Sequence, residues 1–262
     1  MDLAVVLLPG ASTGLALLLT LCPLVAVSLE AFRRTTPDGS VWTPDNFGLL
    51  ATSTELLAAL GRSATLALFV GTLAMAFGFA LSLTTWHPAR ARRILLAMAV
   101  LALLPGEVFS LGLLQVAKLA GVEEGAPFLA GIAQLVWVVP FTTGSLMLAN
   151  ASIGRSVIEG AFELGRTPSS VAMHVVRWIN WGAITASGIL SFTLSLNENT
   201  RASYLGGSQP ALANEVFGRL QAGLLPENRE IFAVELLLVL TALTSAFLIL
   251  NVLSRASRTP GA

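Results

Sequence analysis

The sequence predicts an all-α, polytopic membrane protein with six transmembrane helices. Of its 262 residues, 55% are hydrophobic and only 11% are charged, whereas a soluble domain carries roughly 25% charged residues. The mean hydropathy is +0.78. A chain this apolar cannot bury all of its apolar surface in a water-soluble fold. We therefore expect much of that surface to face lipid. Apolar stretches of about 20 residues, the length that crosses a bilayer as a helix, recur along the chain.

Six such stretches are the predicted spans. They are residues 4–29, 63–85, 94–118, 128–149, 181–196 and 231–253. Several contain glycine or proline, which membrane helices tolerate better than soluble helices do. The first stretch has the alternative of a cleaved signal peptide. A retained span is favoured, because Met1 and Asp2 supply no positive start and the run is longer than a signal sequence needs.

The loops predict one domain, residues 1–262, and its orientation in the membrane. The loop at 87–93 carries three arginines and no acid, and the tail after residue 253 carries two arginines and no acid. Cytoplasmic loops are enriched in Lys and Arg. With six spans, these segments lie on the same side as both termini and the long loop 152–180. That side is predicted to be cytoplasmic, and loops 31–62 and 200–230 are predicted to be external.

The loop 152–180 contains a distinctive pattern. Residues 159–165 read as a helix that stops at Gly165, and Pro168 restarts a second helix. Glycine after a helix and proline in a first turn are typical of such boundaries. The pattern predicts a short helix–turn–helix at the membrane surface. From the residues alone, anchoring to lipid and docking of a partner both remain open.

The pattern Glu-x-Ala-x-x-Leu-Gly, formed by Glu159, Ala161, Leu164 and Gly165, resembles the EAA loop of permease subunits in binding-protein-dependent ABC importers of the MetI-like family. Gly160 stands where that family has a second alanine. The resemblance implies that residues 152–180, called the coupling segment below, dock in a groove on a separate ATP-hydrolysing subunit.

Other stretches resemble the same family in the same order. Residues 42–47 read Trp-Thr-Pro-Asp-Asn-Phe after the first span, and residues 63–66 open the second span. Residues 191–198 resemble a stretch of the spermidine/putrescine-type branch. The resemblance implies a bacterial inner-membrane transport subunit with two ATPase subunits, a second and different homologous permease chain, and an extracytoplasmic solute-binding protein that contacts the outer loops.

The chain has no nucleotide-binding loop of its own. Its only lysine, Lys118, is followed by leucine, whereas a phosphate-binding loop needs Gly-Lys before Ser or Thr. We therefore expect no enzymatic activity and no cofactor in this chain, with ATP and magnesium bound by the partner ATPase. His87 and His174 lack ligand-type neighbours at metal-binding spacing, so no metal site is predicted.

Glu107 and the cluster Asn197, Glu198 and Asn199 are candidates for the solute pathway. Charges within spans are costly and often functional. For Glu107, a position at a helix end remains an alternative, and the cluster has the alternative of a solvated helix end. The family has aspartate at position 197, so asparagine lowers the expected negative charge. The resemblance implies a small polar or cationic organic solute, such as a polyamine or an amino-acid derivative.

Two other function classes predict features that the sequence does not show. A self-contained secondary transporter or channel predicts inverted repeats with broken helices in matching positions, and no such pairing is visible in the sequence. An intramembrane enzyme predicts a catalytic constellation of nucleophile, base and acid, and none is present among the predicted spans.

Overall fold

The computed structural model describes residues 21–36, 39–123, 125–198, 200–206, 211–221 and 229–256. These residues form thirteen α-helices and one small hairpin, which confirms the predicted all-α, polytopic class. The helices are α1 Leu21–Ala31, α2 Asp45–Thr52, α3 Thr54–Ser82, α4 Pro88–Leu103, α5 Gly106–Leu119, α6 Pro127–Ala151, α7 Arg155–Glu163, α8 Pro168–Val171, α9 Arg177–Ile179, α10 Trp181–Leu196, α11 Thr200–Leu205, α12 Leu212–Gln221 and α13 Glu230–Ala256. A 3-10 turn, Leu83–Trp86, extends α3, and a π-helix, Ala172–Val176, joins α8 to α9.

Three helices in the described part of the chain are long and apolar enough to cross a membrane on their own. They are Thr54–Trp86, Phe128–Ala151 and Glu230–Leu248. Two further spans arise if each of two bent helix pairs is counted as one. The predicted first span lies mostly in residues 1–20, outside the described residues. The six-span count therefore stays a prediction.

The prediction of one helix at 94–118 was wrong. The chain there forms α4 and α5, which meet at an angle of 90°. The break lies at Leu104 and Pro105, both in extended backbone conformation, because a proline disfavours helical geometry in the residue before it. Helix α6, in contrast, continues through Pro140. A second bend, of 82°, separates Pro168–Ile179 from the predicted fifth span, Trp181–Leu196.

The described residues divide into two compact units. The first comprises those within Met1–Ala58 and Val216–Thr241. Its hairpin pairs Arg33–Thr36 with Gly39–Trp42 in antiparallel register. The side chain of Asn46 is buried and donates hydrogen bonds to the carbonyls of Glu30, Ala31 and Arg33 at 3.0–3.2 Å. This asparagine, part of the 42–47 motif, satisfies carbonyl groups at the end of α1 that the helix leaves free.

The second unit comprises the described residues within Ala59–Glu215 and Ala242–Ala262. Helix α6 is central in it and packs against α4, α5, α10 and α11. An apolar cluster of Val70, Ala74 and Val138 joins α3 to α6. Small residues bring helices close together, as is typical of membrane bundles. A methyl group added at Gly78 would lie 2.8 Å from Cγ2 of Thr142, and one at Gly71 would lie 3.2 Å from the backbone of Phe192.

The close approach at Gly78 predicts a specific cost of substitution. Gly78→Ala forces α3 away from α6, and we expect overpacking of this kind to lower stability by about 1–3 kcal/mol. Gly144→Ala is the matched control, because a methyl group there meets no atom within 4 Å. Thermal unfolding of the purified variants in one detergent measures the difference. Equal stability of the two variants would contradict this packing.

Candidate functional site

Helix α7 of the coupling segment ends in the turn that the sequence predicts. Gly165 has a backbone φ of +76°. Its N–H donates to the carbonyl of Phe162 at 2.9 Å, and the N–H of Arg166 donates to the carbonyl of Ala161 at 3.1 Å. This pair of hydrogen bonds is the Schellman arrangement, which favours glycine at the left-handed position. The predicted helix–turn–helix is therefore present.

The second helix of this segment begins with a side-chain cap. The hydroxyl of Thr167 accepts a hydrogen bond from the N–H of Ser170 at 3.3 Å, and Pro168 is the first helical residue. A threonine cap satisfies an otherwise free N–H, and proline loses nothing at this position because its missing N–H would have no helical partner. Local sequence features therefore specify both the end of α7 and the start of α8 around the turn at Gly165.

One face of the coupling segment is anchored to the bundle. Four of its side chains form a buried cluster, and residues at the end of α3 and in the following turn pack against it. The buried members are Ile153, Ile158, Val171 and Val176, and the packing residues include Phe79, Leu83, Trp86 and Ala161. The indole N–H of Trp86 also donates to the carbonyl of Ile153 at 3.4 Å. Of the predicted motif residues, Ala161 therefore lies on the anchored side.

The other motif residues face outward. The side chain of Leu164 is 85% exposed at the tip of the turn, and Val157, Phe162 and Met173 are also exposed. Glu159 is exposed and forms an ion pair with Arg155, with Nε and Oε1 2.7 Å apart. Exposed ion pairs contribute little to stability, about 0–1 kcal/mol. These exposed apolar side chains are available to contact either lipid or a partner protein.

Three of the four predicted pathway residues lie in the described part of the chain, and they differ in exposure. Glu107 is exposed in the first turn of α5, directly after the break at Pro105. Asn197 is exposed at the end of α10, where its side-chain N–H donates to the carbonyl of Thr193 at 3.0 Å. Glu198 is buried. Asn199 lies outside the described residues.

Glu198 has a charge partner that the sequence analysis missed. Its Oε2 lies 2.9 Å from Nη1 of Arg201, and its Oε1 accepts the backbone N–H of Arg201 at 3.0 Å. Both side chains are 8% exposed. The guanidinium also lies over the ring of Trp137, 4.8 Å from the ring centroid. The signal was available, because an acid and an arginine three residues apart can pair across a helix start. Glu198 therefore carries a compensated charge.

A line of small polar side chains joins α6 to α10, and the sequence analysis missed it as well. The pairs are Gln134–Ser195 at 2.6 Å, Thr142–Ser191 at 2.7 Å and Ser145–Ser187 at 2.9 Å. Thr193 pairs in the same way with Ser245 of α13 at 2.7 Å. Hydroxyl side chains within membrane spans commonly form hydrogen bonds with side chains of neighbouring helices. The spacing of Ser187, Ser191 and Ser195, every fourth residue, marked one face of α10 in the sequence.

Comparison with known proteins adds sequence relatives. No protein-family model matches the sequence. The chain is 23% identical over 206 residues to the spermidine/putrescine transport system permease protein PotC of Escherichia coli K12, and the aligned region covers 78% of each chain. It is also 23% identical over 197 residues to PotC of Haemophilus influenzae, covering 74% of this chain and 76% of the relative.

Solved structures show the same fold. A chain of the inward-facing MetNI methionine ABC transporter matches with a TM-score of 0.57 and 16% identity, covering 77% of this chain and 99% of that one. A chain of a bacterial ABC transporter that imports alginate matches with a TM-score of 0.64 and 13% identity, covering 99% and 96%. The same comparison with the alginate transporter bound to its periplasmic protein gives 0.63. These findings confirm the resemblance to ABC importer permeases.

The left-handed turn at Gly165 predicts a local effect of substitution. Gly165→Ala places a Cβ in a conformation that costs about 1–2 kcal/mol for an L-residue. We expect faster hydrogen exchange in residues 155–171 and little change elsewhere. Gly160→Ala is the control, because a methyl group there meets no atom within 4 Å and φ is not positive. Equal exchange in both variants would show that the turn does not depend on glycine.

The buried pair of Glu198 and Arg201 predicts a non-additive result. Arg201→Met leaves a buried carboxylate without its partner, and we expect a loss of about 3–5 kcal/mol. The double variant Arg201→Met, Glu198→Leu removes both charges and recovers much of that loss. Thermal unfolding of the unmodified protein, the two single variants and the double variant, all in the same detergent, measures these changes in stability. Additive effects of the two substitutions would exclude the pairing as a source of stability.

Proposed function

We propose that this chain is a membrane-spanning permease subunit of a bacterial ABC importer, which forms part of the solute pathway and is driven by a separate ATPase. The observation that carries this proposal is the two-sided coupling segment. Its apolar face packs against the end of α3, while Leu164 and its neighbours remain exposed at the tip. A surface that packs on the bundle on one side and is exposed on the other suits the transfer of force from a docked partner.

The proposed assembly contains two ATPase subunits, a second and different permease chain, and an extracytoplasmic solute-binding protein. The solved alginate transporter in complex with its periplasmic protein supports this kind of assembly. ATP and magnesium belong to the ATPase subunits in this proposal. The arginine-rich loop at 87–93 supports a cytoplasmic position for the coupling segment and both termini, in the inner membrane.

In the proposed mechanism, the solute pathway opens alternately to the two sides of the membrane. Closure of the ATPases moves the coupling segment, and the attached helices shift between inward-facing and outward-facing states. Net transport then requires only that the solute affinity differ between these states. In this chain the proposed pathway residues are Glu107, Asn197, Glu198 and Asn199, with the loops 31–62 and 200–230 contacting the solute-binding protein.

The proposed solute is a small polar or cationic organic molecule. The relatives named for spermidine and putrescine transport support a cationic class. Glu198 adds no net attraction for a cation, since Arg201 compensates its charge. Glu107, which is exposed, is the remaining acidic group among the proposed pathway residues. Uptake of radiolabelled spermidine by vesicles that contain the assembled complex, with and without Glu107→Gln, tests this assignment.

Docking of the ATPase predicts sensitivity at the exposed tip. Leu164→Asp puts a charge where an apolar contact is proposed, and we expect the ATPase to be retained about tenfold less on affinity purification of the complex. Val41→Asp is the matched control, because Val41 is also an exposed aliphatic residue but lies in the hairpin. Quantitative mass spectrometry of the co-purified ATPase gives the measurement.

Two outcomes would contradict the proposed function. The first is full retention of the ATPase by Leu164→Asp together with normal uptake. The second is uptake by the lone chain in vesicles without any ATPase, which would favour a self-contained transporter or channel. Impermeant labelling of Arg166→Cys in a Cys22→Ser background is an independent check, because labelling from outside the cell would place the coupling segment on the wrong side.

A further inference from the structure

Three buried polar side chains connect the two ends of the coupling segment to α3. Asn150 lies in the last turn of α6, just before the segment, and Asn180 is its last residue. Ser82 is the last residue of α3. Asn150 and Ser82 are fully buried, and Asn180 is 7% exposed. Below, these three residues are called the amide joint.

The donor and acceptor of each hydrogen bond in the amide joint can be assigned in only one way. Nδ2 of Asn150 donates to the carbonyl of Ser82 at 3.1 Å and to its hydroxyl at 2.9 Å. A carbonyl oxygen only accepts, so the nitrogen of Asn150 must face Ser82 and its oxygen must face Asn180. Nδ2 of Asn180 then donates to that oxygen at 2.6 Å. The hydroxyl of Ser82 donates onward to the carbonyl of Phe79 at 2.7 Å.

The amide joint lies where three helices of the second unit begin or end. Its residues belong to the ends of α3 and α6 and to the break before α10, where the chain turns by 82°. Besides the hydrogen bond from Trp86 to the carbonyl of Ile153, the coupling segment contacts the end of α3 and the following turn through aliphatic and aromatic side chains. Such contacts have no fixed direction, so the packed surfaces can slide over each other. Buried hydrogen bonds are directional and costly to break without water, so they hold the three helix ends in one arrangement.

We propose that the amide joint transmits movement of the coupling segment to α3, α6 and α10, so that the segment and the three helix ends move as one body. Asn150, Ser82 and Asn180 are positioning residues in this proposal and do not contact solute. The inference rests on the proposed function, since it requires an ATPase to move the segment. It goes beyond docking, because the ATPase can bind the exposed tip whether or not the joint is intact.

The test uses the assembled complex in lipid nanodiscs and needs no known solute. Hydrogen exchange is measured with and without ATP plus orthovanadate, which traps a closed ATPase. Two regions are compared, the coupling segment and α11, which follows α10 at the end remote from the joint and packs on α5 and α6. In the unmodified complex we expect nucleotide to change exchange in both regions.

Substitutions in the joint should separate the two regions. In Asn150→Leu, we expect the nucleotide response of the coupling segment to remain and that of α11 to fall by about fivefold or more, because an unpaired buried amide strongly disfavours the joined arrangement. Ser82→Ala keeps the carbonyl acceptor and removes only the hydroxyl, so a smaller loss follows. Ser152→Ala is the control, since its exposed hydroxyl bonds only within its own helix turn.

Asn180→Asp adds a readout that packing alone would not give. The ionised carboxylate cannot donate to the oxygen of Asn150, but the protonated acid can. The α11 response of this variant, relative to the unmodified complex at the same pH, should therefore recover as the pH falls. Should Asn150→Leu fail to fold, Ser82→Ala and Asn180→Asp carry the test.

Each remaining outcome decides between explanations. An undiminished α11 response in the joint variants overturns the amide joint, as does an unmodified complex whose response is confined to the coupling segment. Loss of ATPase binding by the joint variants also overturns it, because the residues would then only shape the docking surface. Failure of the unmodified chain to bind any ATPase refutes the proposed function instead, and the two failures are thus distinguishable.

Discussion

Hydrogen bonding without water is the constraint on which this structure depends. Lipid offers neither donors nor acceptors, so polar groups within a span need partners inside the protein. The chain meets most of this condition with helices and with paired side chains, while in the described residues the buried hydroxyls of Ser110 and Thr143 have no hydrogen-bond partner. The serine and threonine pairs join α6 to α10, Arg201 compensates Glu198, and the amide joint satisfies Asn150 and Asn180. These pairs fix the register of helices whose apolar faces alone would pack in several ways.

The sequence predicted the features that depend on one segment. Composition indicated the membrane class, and apolar length located the helices. The Gly165–Pro168 spacing predicted the turn of the coupling segment, because glycine and proline act through local backbone geometry. The features that it missed depend on two distant segments. The partner of Ser191 is 49 positions away and that of Asn150 is 68 positions away, and no local pattern specifies which helix a polar residue meets.

The break at Pro105 is a second feature that local sequence does not predict. Pro105 and Pro140 both interrupt an apolar run, yet α6 continues through Pro140 and the chain turns by 90° at Pro105. The two sites differ in what surrounds them. Pro140 is buried within the bundle, where neighbouring helices support it. At Pro105 the next residue, Gly106, lies against Arg201, since a methyl group there would be 3.2 Å from the guanidinium carbon.

Both bends in the second unit therefore lie beside a buried polar cluster. Gly106 contacts the Arg201 side of the Glu198 pair, and Asn180 is itself a member of the amide joint. A break in a helix leaves backbone groups without partners and would by itself be a flexible point. Buried charges and amides next to the break oppose bending, because a change of angle would separate hydrogen-bonded groups in a site without water. In the proposed mechanism the bends therefore act as fixed angles, so that a displacement applied to the coupling segment would be carried into the spans rather than absorbed at the turn before α10.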